Sequence, residues 1–484
     1  MKTGIFKRLR IFLVVGLAAA QAAAQETNSL ETNSPAANTA AANEAAMNAL
    51  MTNAPLTLSN APVWMTRPLT MTEALNLALQ QNGSVLRGKR DLEAEYGVVV
   101  QTRAVAIPKL QVTGNYQYSS EVEPYPFPDS PPAQNRTWYS QFQVVQAIYQ
   151  GGQIRSALRS AKLTKAQALL NYETVIADAL LRVRIAYYDV LSAAEQVVVE
   201  EASVKLLSEE VDDQTRRYEA GTVPRFNVLQ AGVQLANEQP KLIRARNTFR
   251  VTKNALVNEL GVRLPTDVLQ DVPMKLSDML DADPYDLELP YAINQALKTR
   301  TELLSLEKQE GLAKEVVITA QGNYRPTLSL FGGYGARNSE FTNDLTHVVP
   351  GWTGGAEVSW NLFDGLLTQG KIQQAKAQLD GAKVDVENEA RTIELEVRTD
   401  FSDFIEAREV LESQKKVLEE AAEALRLASA RSDAGTGTQL DVLSAETQLT
   451  QARSTQVQAL HDYDVARARL ERAIGMNITQ TMTK

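Results

Sequence analysis

The sequence predicts a mixed α/β membrane protein: long coiled-coil helices forming a trimeric α-barrel, continuous with a twelve-stranded antiparallel β-barrel to which each protomer gives four strands. Three features point there. The chain repeats itself internally, each repeat holds a helical stretch of close to seventy residues without proline, and each holds two short segments rich in aromatic and β-branched residues. The 484 residues are 44% hydrophobic, enough for large buried faces, and length alone would suggest about three ordinary domains.

Composition narrows the chemistry. There is no Cys and there are only two His, which excludes disulfide frameworks, thiolate metal sites, Cys nucleophiles and Cys-based lipid anchors. A net charge of −9 gives no general attraction to nucleic acid or anionic headgroups. No nucleic-acid partner and no cofactor are expected.

The chain opens with Lys2, Lys7, Arg8 and Arg10, an apolar run from Ile11 to Ala20, and small residues ending Ala22-Ala23-Ala24. This is the pattern of an export leader over 1–24, since the run falls short of the ~20 apolar residues that span a bilayer. Residues 25–60 are rich in Ala, Asn, Thr and Ser and are expected to form a mobile tail.

Two structural repeats follow, over 69–262 and 290–476, joined by a linker at 263–289 and ending in a short tail at 477–484. Ala74, Asn76, Ala78, Leu79, Pro108, Gly114 and Tyr116 recur as Ala292, Asn294, Ala296, Leu297, Pro326, Gly332 and Tyr334 at a constant offset of 218. Farther on, Ala220-Gly221-Thr222 and Val228-Leu229 recur as Ala434-Gly435-Thr436 and Val442-Leu443 at an offset of 214. Each repeat reads helix, strand, loop, strand, very long helix, turn, helix.

The first helix opens at a capping box, Thr70 with Glu73, and is expected to run from Thr72 to Ile107; its counterpart opens at Pro290 and runs to Arg325. Strands are expected at Lys109 to Ser120, Thr137 to Tyr149, Thr327 to Ala336 and Trp352 to Phe363. Between Gln153 and Ala220 there is neither Pro nor Gly, and Ile176, Leu180, Val183, Tyr187, Val190, Ala194, Val197, Val204 and Val211 fall on a coiled-coil spacing. Gly365 to Ala434 repeats that helix. At ~1.5 Å per residue each long leg spans about 100 Å, matching a rising pair such as Phe226 to Gly261 stacked on Pro290 to Arg325, or Leu440 to Gly475 on Thr72 to Ile107.

The strands are long enough to cross a bilayer at a tilt, which takes ~9–11 residues. Four strands cannot close, and open edges are not tolerated in lipid. Two chains would give a filled eight-stranded barrel, whereas three give twelve strands and a passage.

The sequence resembles the TolC-type outer-membrane efflux proteins in Leu69-Thr-Met-Thr-Glu-Ala-Leu-Asn-Leu-Ala-Leu79, in Ala186-Tyr-Tyr-Asp-Val-Leu191, in Arg217-Tyr-Glu-Ala-Gly-Thr222 with Asn227-Val-Leu-Gln-Ala231, and in Ala434-Gly-Thr436 with Asp441-Val-Leu443. The resemblance implies a homotrimer in outer-membrane lipid with a helical tunnel through the periplasm. It also implies a periplasmic adaptor as partner, an inner-membrane pump reached through that adaptor, and no chemistry of the channel's own. Relatives that are acylated carry an N-terminal Cys, so this chain is expected not to be lipidated.

Within that resemblance the two tip turns are the expected adaptor-docking sites, at Gly221, Thr222, Val223, Pro224 and Arg225 and at Gly435, Thr436, Gly437 and Thr438. Gly221 and Gly435 also read as left-handed helix terminators. The periplasmic constriction falls on Leu440, Asp441, Ser444 and Asn227. Asn227 and Asp441 read equally well as helix caps, and Asn227, Gly437 and Ser444 argue against an extensive charged latch. His461 reads as a packing residue and His347 as a solvated loop residue. Trp138, Tyr139, Trp352 and Trp360 suit an aromatic girdle. Type I protein secretion is an alternative to efflux. A periplasmic coiled-coil adaptor is a rival of another class, disfavoured because the strand pair recurs with each hairpin.

Overall fold

A computed structural model describes residues 67–119, 135–263, 271–338 and 344–476. They belong to one unit beginning at Arg67. The expected leader, the low-complexity tail, the Pro-rich segment from Pro124 to Pro132 and the C-terminal tail lie outside the described residues.

The first repeat comprises helices α1 (Met71–Gln81) and α2 (Gly83–Arg103), strands β1 (Lys109–Tyr118) and β2 (Arg136–Gln150), then helices α3 (Gln153–Glu219) and α4 (Arg225–Leu260). The second comprises α5 (Leu289–Thr299), α6 (Thr301–Gly322), β3 (Thr327–Asn338), β4 (Val348–Ser359), α7 (Leu367–Asp433) and α8 (Gln439–Ala473). The capping box at Thr70 and Glu73 is present. Each long helix, α3 and α7, has 67 residues, about 100 Å of rise.

Two expectations need correction at the repeat openings. The helix read as continuous from Thr72 to Ile107 breaks at Asn82, and its counterpart breaks at Arg300. Asn82 ends α1 and caps α2, its Oδ1 accepting the Ser84 and Val85 amides at 2.8 and 3.3 Å. Its Nδ2 donates to the Glu259 carbonyl at 2.6 Å. Arg300 does the equivalent in the second repeat, Nη1 donating to the Ala473 carbonyl at 3.1 Å. Each break therefore clasps the end of a rising helix.

Those contacts also reverse the expected stacking. Helix α4 abuts the α1–α2 break of its own repeat, and α8 abuts the α5–α6 break. A Cβ on Gly261 would lie 2.2 Å from the Gln81 carbonyl oxygen, and one on Gly475 would lie 2.6 Å from Thr299 Oγ1. Chain order did not decide the pairing because the linker runs back beside the start of the first repeat. There Leu69 N–H donates to the Lys275 carbonyl at 2.8 Å and Ser277 N–H to the Leu69 carbonyl at 3.2 Å.

The seam on α3 holds only in its upper part. Leu180, Val183, Tyr187 and Val190 are buried, but Ile176 before them and Ala194, Val197, Val204 and Val211 after them are only partly so. Ala193, Glu200, Ser203, Leu207 and Gln214 take the inner face instead. The buried stripe keeps a seven-residue period through Ala179, Ala186, Ala193, Glu200, Leu207 and Gln214, so below Val190 the inner face lies one residue out of register with the predicted seam. The main core gathers Ile393, Val397, Phe404 and Leu411 of α7 with Ala459, Tyr463 and Leu470 of α8 and Ala292 and Ala296 of α5. Phe404 stacks between Tyr463 and Tyr285, ring centroids 5.3 and 5.7 Å away. No α7 residue beyond Leu411 is buried among the described residues.

The four strands form one antiparallel sheet in the order β1-β2-β3-β4, with β1 and β4 as open edges. Strand β4 begins at Val348, so the loop before it is shorter than expected, and Trp360 lies just past the strand. Registry sorts the side chains onto two faces, because directly paired residues share a side. One face carries Leu110, Val112 and Tyr116 of β1, Trp138, Phe142 and Val144 of β2, Leu330 and Tyr334 of β3, and Trp352 and Val358 of β4. The other is mainly polar, carrying Gln111, Thr113, Asn115 and Gln117, with Gln141, Gln143, Thr353 and Glu357, and includes Val145, Phe331 and Val349. Phe142, Tyr334 and Trp352 make a contiguous row, with centroids 6.0 and 4.9 Å apart. Tyr139, grouped with the girdle aromatics from sequence, falls on the polar face. Every residue of β1 and β4 is exposed.

Candidate functional site at the hairpin tips

Both tip turns are built by the same local chemistry. Helix α3 ends as Gly221 turns left-handed, φ +73°, and α7 ends as Gly435 does so, φ +72°. At the first tip the Thr222 amide reaches back to the Arg217 carbonyl and the Gly221 amide to Tyr218. At the second the Thr436 amide reaches Arg431 and the Gly435 amide reaches Ser432. This double closure satisfies carbonyls that the helix leaves free. Gly437 is a tighter requirement, since a Cβ there would stand 2.9 Å from that of Arg431.

The helices that leave the tips start differently. Helix α8 has a complete capping box: Thr438 Oγ1 accepts the Asp441 amide at 3.2 Å, and Asp441 Oδ2 accepts the Thr438 amide at 3.0 Å and its hydroxyl at 2.7 Å. Those bonds hold the Asp441 carboxyl below its ordinary range, with the Thr438 hydroxyl the largest cause. Helix α4 starts at Pro224 without a side-chain cap, so the capping reading of Asn227 is not borne out. Asn227 instead offers its backbone carbonyl to Gln439 Nε2 at 3.3 Å.

The structure brings the predicted residues of both repeats to one end. Arg217 pairs with Asp213 at 2.6 Å on its own helix and with Asp433 at 3.2 Å on α7, tying the two hairpins together. Leu440 and Ser444 line one wall of a groove of about 720 Å³, faced by Phe226, Leu229 and Val233 of α4. Phe226, Leu229, Val233 and Leu440 are all more than half exposed. Val223 is partly buried, whereas Thr222, Pro224, Arg225, Thr436 and Thr438 are exposed.

Sequence reasoning missed the layer just above the tips. Glu446, Glu210, Gln214 and Gln439 form a polar seam where the heptad pattern leads one to expect apolar contacts, and Glu200, Ser203 and Glu238 form another. Ser203 Oγ donates to Glu238 at 3.1 Å, and Thr450 Oγ1 donates to Ser203 Oγ at 3.2 Å. The available signal was Glu446 itself, standing among Val442, Leu443, Ala445 and Leu449 on the buried stripe of α8.

His461 bridges helices: Nε2 lies 2.7 Å from Asp189 of α3 and Nδ1 3.0 Å from Asp462. Burial opposes its charge, but these two carboxylates outweigh burial and raise its pKa. Among the described residues no group of three or more His, Asp or Glu is arranged to hold a metal ion, and no helix is long and apolar enough to cross a membrane.

A family model described as outer membrane efflux protein matches residues 74–262 and 292–476, which are the two repeats. The chain is similar to outer membrane protein TolC of Escherichia coli, 23% identical over 84% of this chain and 83% of that one. It is also similar to the alkaline protease secretion protein AprF of Pseudomonas aeruginosa, 25% identical over 63% of each. Among solved structures, the Campylobacter jejuni CmeC outer membrane channel superposes with a TM-score of 0.71 at 16% identity, over 85% of this chain and 88% of that one.

Proposed function

Because the chain belongs to the outer membrane efflux protein family, we propose that three copies assemble into the outer-membrane channel of a tripartite exporter, a conduit that opens and closes at its periplasmic end. The observation that carries this reading is the sheet. It has two open edges and two faces of opposite character, one apolar and aromatic, the other lined with Gln, Thr and Asn. Lipid on the first face and water on the second satisfies both, and pairing β4 with β1 of the next copy removes the edges. Twelve strands then enclose a water-filled passage.

Below the sheet, the two hairpins of each copy form one third of a helical tunnel. Their tips carry the docking surface for a periplasmic adaptor on Gly221 to Arg225 and Gly435 to Thr438, with the pump reached through that adaptor. Asp441, with Leu440, Ser444 and Asn227 beside it, forms the constriction. Three symmetry copies of a capped, ionised Asp441 place negative charge at the narrowest point and attract cations. The chain reaches the outer membrane behind its leader and carries no lipid. Similarity to a protein named for alkaline protease secretion supports protein export as a second reading for the cargo.

Planar-bilayer recording tests the assembly. Purified protein should give discrete current steps, and Asp441→Ala should change conductance or block by divalent cations. A monomer that stays in water and conducts nothing would sink the conduit reading; unchanged conductance and block would leave Asp441 as a cap alone.

A further inference from the structure

The seam above the tips joins three helices through a cluster in which acceptors outnumber donors. Glu210 of α3 accepts from Gln214 Nε2 at 2.9 Å and from Gln439 Nε2 at 3.4 Å. Gln439 lies at the start of α8, and its Nε2 also reaches the Asn227 carbonyl of α4. Gln439 Nε2 is therefore engaged by two acceptors and Gln214 Nε2 by Glu210. Three buried oxygens are left without a hydrogen-bond partner: Gln214 Oε1, Gln439 Oε1 and Glu446 Oε2. Gln214 is 4% exposed and Glu446 6%, so solvent does little for either. All three loose ends are acceptors, and of the two carboxyls in the layer Glu446 is the one whose buried oxygen, unpartnered here, would become a donor on protonation.

We infer that Glu446 is a proton-operated latch: protonated, it donates into this layer and holds the first turns of α8 against α3; ionised, it repels Glu210 and releases the tip end of the second hairpin. The latch rests on the conduit reading only for its effect on current. Burial first, and the Glu210 charge second, push the Glu446 carboxyl up to about 7, so it titrates near neutrality.

The surroundings offer no charge that would neutralise it. From α3 the group facing Glu446 is Glu210; Asp213 nearby is engaged by Arg216 and Arg217. On α7, Glu423 and Arg426 pair with each other at 2.7 Å, and the field of Arg431 falls on Asp441. Helix α4 contributes the Asn227 carbonyl and has no titratable side chain between Arg225 and Glu238. The sign follows from a folded pKa raised above the ordinary value. Packing of α8 on α3 is complete below the unfolded pKa and weakens as pH rises through about 7. Glu200, one layer up, is also raised by burial, whereas Asp441 is lowered and stays ionised across this window.

The test uses the full chain, with two variants and two readouts. In planar bilayers, open probability or conductance of the wild type should rise several-fold between pH 6 and pH 8. Glu446→Gln, which keeps shape and a donor, should hold the low-pH level throughout, and Glu210→Gln should move the wild-type midpoint to lower pH. Hydrogen exchange of amides 439–446, corrected for intrinsic rates, should accelerate over the same range in the wild type and not in Glu446→Gln. Currents that respond to pH identically in Glu446→Gln would overturn the latch while leaving the conduit intact. If no current appears at any pH, the conduit reading fails, and the exchange measurement still decides the latch.

Discussion

The same long helices are packed in two different ways along their length. At the level of the helix breaks, contacts are apolar and interlocked: Phe404 and Ile393 are 1% exposed, and ion pairs stitch across helices, with Arg184 to Glu471 at 2.7 Å and Arg472 to Asp178 at 2.6 Å and to Glu302. Toward the tips, Glu200, Ser203, Gln214 and Glu446 share the inner face with Leu207, Leu443 and Leu449, large apolar residues such as Phe226 and Leu229 stand exposed, and one ion pair from Arg217 joins the hairpins. Regions that must move are drawn from the weakly packed end of a structure. By packing alone, the upper region is the firmly held part of the molecule, its frame, and the tips the weakly held one.

The largest effect should come from breaking the frame where it has no space. Gly261→Ala combines a left-handed backbone, φ +75°, with a Cβ that has nowhere to go. Backbone strain and overpacking at ~1–3 kcal/mol each predict a loss of about 3 kcal/mol or more in denaturant unfolding. Gly221→Ala at the tip has the same backbone sign and open space around it, so it should lose only ~1–2 kcal/mol. Equal losses would erase the contrast between the two regions. Phe404→Ala should cost ~3–5 kcal/mol by the same measurement.

The frame also has a pH signature of its own. Burial pushes the Asp464 carboxyl to about 7, against the pull of Arg467 and His461, so its contribution is lost as pH rises toward and through neutrality. Glu302 moves oppositely: burial would raise it, but Arg472 holds it below its usual range, so its contribution is lost as pH falls into the acid range. Asp464→Asn should flatten the decline in stability between pH 5 and pH 8, by at most ~3 kcal/mol at ~1.4 kcal/mol per pH unit. A decline that persists unchanged would remove Asp464 from the account.

Smaller effects belong to the tips. Asp441→Ala should lower stability by ~0.5–2 kcal/mol through the lost cap, measured separately from its effect on current. Arg217→Ala should cost less than ~1 kcal/mol because its partners are solvated. A larger loss would mean that the tips are held as firmly as the frame.

The duplication, the capping box, the glycine-terminated tips, the four strands and the two long helices were legible in the sequence, because each is written in local pattern: periodicity, Pro and Gly placement, and cap residues. Candidate site residues were legible to the extent that their position at one end follows from chain reversal at Gly221 and Gly435. Tertiary structure alone decided which rising helix meets which break. Asn82 and Arg300 grip carbonyls more than a hundred residues away, and no local spacing encodes that choice. It also decided that below Val190 the stripe through Ala193, Glu200, Leu207 and Gln214 is the buried one and the more apolar stripe beside it is not, since only the partner helices set which stripe is inside. The acceptor-rich layer around Glu446 follows from that choice of stripe: a carboxylate whose meaning depends on Glu210, which lies on another helix.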